Sequence, residues 1–163
     1  MFHKSFSGYM SFYKLQVLLL GPGKIMQALQ LYIEYDYDFD LYGLVAAAKE
    51  YKLAWALNRL LGFRLKKQQD LCYGLSGPEG VIISNFEYIT DHYVVRLLQN
   101  RALGPEAFLL PELKRYDYVL QLTGTMRQLC PQEFVDRLRS LPLVQGVKQI
   151  DPLTLKLKEH LIF

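Results

Sequence analysis

Between Arg115 and Thr123 the chain alternates with the two-residue period of a β-strand. Tyr116, Tyr118, Leu120 and Leu122 fall on one side, and Asp117, Val119, Gln121 and Thr123 on the other. The first set belongs to a core, and the second mixes apolar and polar residues. Just upstream, Pro111 fixes its own φ, lacks an amide hydrogen and biases Leu110 toward extended geometry. The chain is therefore expected to turn at Leu110-Pro111-Glu112 and to enter a strand a few residues later.

A second strand pattern occupies Leu31, Ile33, Tyr35, Tyr37, Phe39 and Leu41, which alternate with Tyr32, Glu34, Asp36, Asp38 and Asp40. Three aspartates on one side invite a hard-cation reading. A calcium loop wants its ligands on a curved, glycine-containing turn, so the run is read as a charged edge strand that discourages sheet-to-sheet pairing. From Ala46 to Leu61 the period becomes helical. Glu50, Leu53, Leu57 and Leu60 track one side, and Tyr51, Ala54, Trp55 and Asn58 the adjacent one. Gly62 is a natural stop, and Arg59, Arg64, Lys66 and Lys67 suit the negative end of the helix dipole.

Three extended segments follow, Leu71–Leu75, Val81–Thr90 and Tyr93–Gln99, with turn chemistry between them that predicts an antiparallel meander and leaves His92 in a turn. Residues Asn100–Leu110 read as a long loop. Pro131 opens a helix with Phe134, Leu138 and Leu141 as its stripe. Val144–Ile150 then returns as a strand, completing a β-α-β unit. The segment after Asp151-Pro152 reads as a short helix or a docked arm.

With 163 residues, 51% of them hydrophobic, the chain can bury one sizeable core without a metal or disulfide. Residues 1–25 lack a sustained period and are expected to form a weakly ordered extension, with Met26 as the true start and 26–163 as one α+β domain. The run Val17-Leu18-Leu19-Leu20 is too short to span a membrane, and nothing after it resembles a signal-peptide cleavage site. Gly21-Pro22-Gly23-Lys24 lacks the first glycine and the Ser or Thr of a phosphate loop. Cys72 and Cys130 form no C-x-x-C pair and read as reduced thiols, which favours a cytoplasmic setting. A net charge of +3 is too weak to argue for nucleic acid or an anionic membrane. His3, His92 and His160 show no metal-ligand spacing, so no metal and no cofactor is expected.

Leu110-Pro111-Glu112 followed by Asp117-Tyr118 resembles the signature of the IPExxxDY family of bacterial, Bacteroidetes-type proteins. Tyr37-Asp38-Phe39-Asp40-Leu41-Tyr42-Gly43, Tyr51 through Asn58, Val144-Gln145-Gly146-Val147, Ile150-Asp151-Pro152 and Glu159 through Phe163 extend the likeness, from Met26 onward. Here leucine stands for isoleucine, and four residues rather than three separate Glu112 from Asp117. The resemblance implies no activity, substrate or cofactor.

The expected fold is α+β: an antiparallel-rich sheet of five or six strands with two main helices on one face, ferredoxin-like in outline with an added strand. With no catalytic constellation in view, the sequence favours a non-catalytic protein-interaction or assembly module with a protein partner or a second copy. The alternatives are a small-ligand-binding regulatory domain and a hydrolytic enzyme using Glu112 and Asp117. Pro111, Glu112, Tyr116, Asp117, Tyr118, Trp55 and Asn58 are the candidate site residues, in a structural or interaction role.

Overall fold

The structure, a computed structural model, describes residues 12–14, 32–34, 37–73, 80–103, 107–128 and 130–163. The chain divides into two units, Met1–Tyr37 and Asp38–Phe163. In the first unit strand β1 (Phe12–Lys14) pairs antiparallel with β2 (Tyr32–Glu34). That pairing joins chain on both sides of the boundary expected after residue 25. The expectations for the rest of residues 1–25, and for Asp36 of the aspartate row, lie outside the described residues.

The second unit is α+β. Its elements are β3 (Phe39–Val45), α1 (Glu50–Leu61), β4 (Lys66–Lys67), β5 (Leu71–Tyr73), β6 (Val81–Ile83), β7 (Asn85–Ile89), β8 (Val94–Gln99), β9 (Tyr118–Thr123), α2 (Pro131–Arg139) and β10 (Gly146–Ile150). Six strands form one antiparallel sheet in the order β10-β3-β9-β8-β7-β4, and β5 with β6 forms a separate two-stranded sheet. Strands β9 and β10 both run antiparallel to β3 and so parallel to each other, which makes β9-α2-β10 a split β-α-β unit. The contiguous strands β10-β3-β9-β8 hold the ferredoxin-like order, with α1 following β3 and α2 following β9. Strands β7 and β4 extend the sheet beyond β8, so two strands are added rather than one.

One face of the sheet carries the helices. Tyr42 and Leu44 of β3, Tyr118, Leu120 and Leu122 of β9, Val95 and Leu97 of β8 and Phe86 of β7 meet Leu53, Ala54 and Leu57 of α1 and Phe134, Val135 and Leu138 of α2. Tyr42 and Phe134 touch ring to ring at 4.9 Å. Each leucine buried here contributes about 2 kcal/mol. All six residues of β9 are buried, so the face carrying Val119, Gln121 and Thr123 is covered as well. Irregular chain does that covering: Gln121 Nε2 donates to the Leu161 carbonyl at 2.8 Å, and the Tyr116 ring lies against Gly43.

Several boundaries differ from those expected from the sequence. β3 begins at Phe39 and runs to Val45, past the expected end at Leu41, and it is not the expected edge strand: it pairs with β10 on one side and β9 on the other, so Asp40 is half-buried and burial pushes its carboxyl up. The segment expected as one strand from Val81 to Thr90 breaks at Ser84 and serves two sheets. Ser84 is buried, its Oγ accepts from Lys67 Nζ at 2.8 Å and its carbonyl accepts from the Gln99 amide, which fixes the corner. Helix α1 starts at Glu50 rather than Ala46: Lys49 before it is extended, and the carbonyls that an earlier start would use are taken, Val45 by the Gln145 amide and Ala48 by the Tyr118 hydroxyl. β9 starts at Tyr118 rather than Arg115, since Pro111–Leu113 forms a 3₁₀ turn whose last carbonyl accepts from the Tyr116 amide. Tyr116 therefore does not share the face of Tyr118. It packs on the opposite side of the sheet, over Gly43.

Candidate functional site

The motif residues around Pro111 are organised by a residue that periodicity does not single out. Asn100, fully buried at the end of β8, uses every hydrogen-bonding group it has. Its Nδ2 donates to the carbonyls of Leu113 at 2.9 Å and Tyr116 at 3.0 Å, and its Oδ1 accepts from the Leu110 amide at 2.9 Å. Its own amide donates to the Asp117 carbonyl, and its carbonyl accepts from the Leu109 amide. A buried irregular segment must pair its backbone polar groups, and Asn100 supplies partners that a strand would have supplied.

Around this hub the signature residues each hold a different piece of chain. Pro111 opens the 3₁₀ turn at its first position, where a missing amide hydrogen costs nothing. Glu112 Oε1 accepts from the Lys156 amide and so pins the segment after β10. Partial desolvation pushes the Glu112 carboxyl up. The amides of Glu112, Lys156 and Leu157 and the Lys156 ammonium outweigh it and leave the carboxyl below its ordinary value. Asp117 holds the Ala46 amide, and its own amide donates to the Leu44 carbonyl at 2.9 Å. Tyr116 is buried, with the Arg115 guanidinium 4.8 Å from its ring centre. The Tyr118 hydroxyl donates to the Ala48 carbonyl just before α1. Burial, with Glu50 and Asp117 nearby, raises the Tyr118 phenol to about 12.

The two carboxylates singled out as a possible catalytic pair thus serve separate backbone amides on separate elements, Glu112 after β10 and Asp117 before α1. Pro111, Glu112, Tyr116, Asp117 and Tyr118 are brought together at one end of the sheet. Asn58 and Trp55 are not part of that group. Asn58, on α1, clips the chain beyond the helix: its Nδ2 donates to the Leu65 carbonyl at 3.1 Å and its Oδ1 accepts from the Leu65 amide at 2.8 Å. Gly62, in the left-handed region at φ 71°, closes the helix between them.

Trp55 stands apart in kind. It is 60% exposed and Tyr51, one turn earlier, is 52% exposed. The Arg59 guanidinium, one turn later, lies 4.9 Å from the Trp55 ring centre. Spacing of four residues puts Tyr51, Trp55 and Arg59 in one stripe on the solvent side of α1, opposite Leu53 and Leu57. Tyr51 and Arg59 were readable as helix positions but carried no signal of exposure until the buried side of α1 was known.

A second polar group lies at the face without helices. Arg96 Nε pairs with Glu87 Oε1 at 2.6 Å, and its guanidinium lies 4.4 Å from the Phe163 ring centre. Tyr73 stacks on His160 at 4.6 Å and donates its hydroxyl to the His160 carbonyl at 2.7 Å. These contacts seat the segment after β10. Among the described residues no cluster of three or more His, Cys, Asp or Glu is placed to hold a metal ion, and no helix is long and apolar enough to cross a membrane. Comparison with protein-family models, with curated proteins and with solved structures finds no match.

Proposed function

We propose that this chain is a protein-interaction module whose contact surface is the exposed side of α1. The observation that carries the reading is Trp55: the chain's single tryptophan sits 60% in solvent on a packed helix, flanked by Tyr51 and Arg59. Exposing that much aromatic surface does nothing for the fold. Tryptophan, tyrosine and arginine are the side chains that dominate binding energy at protein interfaces. The segment around Pro111 supports the reading by elimination, since the side chains of Glu112, Asp117 and Tyr118 are spent on the chain's own backbone. Membership of the IPExxxDY family and a cytoplasmic setting belong to this proposal; the exposed free thiols of Cys72 and Cys130 suit a reducing compartment.

The test is site-specific photo-crosslinking in cells, with p-benzoylphenylalanine replacing Tyr51 and, as a control on a different exposed apolar site, Leu153. A protein conjugate formed from position 51, absent from position 153 and lost on Trp55→Ala, is the expected result. Conjugation at neither position, or only within residues 1–37 of the same chain, would overturn the proposal.

A further inference from the structure

Resting on that reading, we infer that the occupant of the α1 surface is an acidic protein segment that carries an aromatic or aliphatic side chain among its carboxylates. At 100° per residue, the solvent arc of α1 presents Tyr51, Lys52, Trp55 and Arg59, all exposed. The one acid of the helix, Glu50, is half-buried and falls within the inner arc, between Leu57 and Leu61. Among the described residues neither Lys52 nor Arg59 has a carboxylate partner, whereas Arg96, Arg139 and Lys67 each have one. Exposed Lys49 and Arg64 continue the same sign at the two ends of the helix.

The surface therefore offers two rings and a row of cations with no anion among them. Carboxylates brought against Lys52 and Arg59 beside the Trp55 and Tyr51 rings gain more than they do in open water, because the rings displace solvent. An apolar side chain on the incoming segment covers the rings themselves. Single-stranded nucleic acid fits less well. Arg59 already occupies one side of the Trp55 ring, where a base would stack. The stripe from Tyr51 to Arg59 is also only about 12 Å long at the helical rise, short for a groove that tracks a nucleotide backbone.

The probe is a fluorescein-labelled random copolymer of glutamate and tyrosine, titrated with the full chain and read by anisotropy, beside polyglutamate and oligo(dT) of matched charge. The copolymer is expected to bind about tenfold more tightly than either comparator. Trp55→Ala and Arg59→Ala should each weaken copolymer binding by about fivefold or more, with Arg59→Lys intermediate. Lys148→Gln, which removes an exposed cation on β10, should leave it unchanged. Equal binding of all three polymers, insensitive to Trp55→Ala, would show a diffuse basic surface, and tighter Trp55-dependent binding of oligo(dT) would assign the stripe to nucleic acid. Either result overturns the inference. A protein conjugate at position 51 with no copolymer binding would overturn the acidic assignment while leaving the interaction reading in place; absence of both would remove both.

Discussion

The Pro111–Tyr118 segment and the outer side of α1 are built on opposite terms. In the first, conspicuous residues are consumed: Glu112 holds the Lys156 amide, Asp117 the Ala46 amide, and Asn100 ties the turn between them. In the second, Tyr51, Trp55 and Arg59 stand in solvent on a helix whose inner side is already packed. The difference separates two meanings of an unusual residue. A proline-acid-aromatic signature can be the chain's own fastening, while a tryptophan at a routine helical spacing can be the part left over for something else. The comparison breaks if variants of the first region alter binding without altering stability, or if variants of the second unfold the domain.

The largest loss is expected at Asn100. Asn100→Ala orphans the Leu110 amide and the carbonyls of Leu113 and Tyr116, all buried away from water, and should cost about 3–5 kcal/mol in urea unfolding at roughly 1–3 kcal/mol per unsatisfied group with some relaxation. Gly43→Ala comes next. An added Cβ meets the Tyr116 ring at 2.7 Å, so the ring must leave its seat, a change worth about 1–3 kcal/mol by the usual cost of overpacking. Loss of near-ultraviolet tyrosine dichroism should accompany it.

Glu112 is a smaller and pH-dependent case. Its carboxylate is exposed, so Glu112→Ala should cost about 0.5–1 kcal/mol after screening, and Glu112→Gln less. Because the folded carboxyl sits below its ordinary 4.5, its contribution is present above that value and is lost as pH falls through the lower folded one. The stability difference between wild type and Glu112→Gln should therefore vanish on acidification. A difference that persists or grows in acid would contradict the assignment.

The helical side of the sheet was the legible part. The alternation of Tyr118, Leu120 and Leu122 and the stripes of α1 and α2 are long-period signals, and packing of apolar residues tolerates many solutions. The other side is closed by irregular chain held through single side-chain-to-backbone bonds, such as Asn100 to Leu110 and Gln121 to Leu161. Those bonds have no period. Asn100 and Gln121 look like any strand-end asparagine and mid-strand glutamine until the fold places carbonyls and amides around them. The reversal of Tyr116 to the side opposite Tyr118 has the same origin, a 3₁₀ turn that ends the two-residue count before the strand begins. At the site, Trp55 and Asn58 were visible as residues. Their division of labour, one in solvent and one clipping Leu65, depends on which arc of α1 is buried.

The most direct test is the unfolding free energy of Trp55→Ala measured beside that of Asn100→Ala in the same denaturant series. Trp55→Ala should lie within about 1 kcal/mol of wild type, losing only an exposed cation–π contact, while Asn100→Ala falls by several times that amount. A Trp55→Ala loss as large as that of Asn100→Ala would place the tryptophan among the residues that hold the fold and would contradict the separation of the two regions.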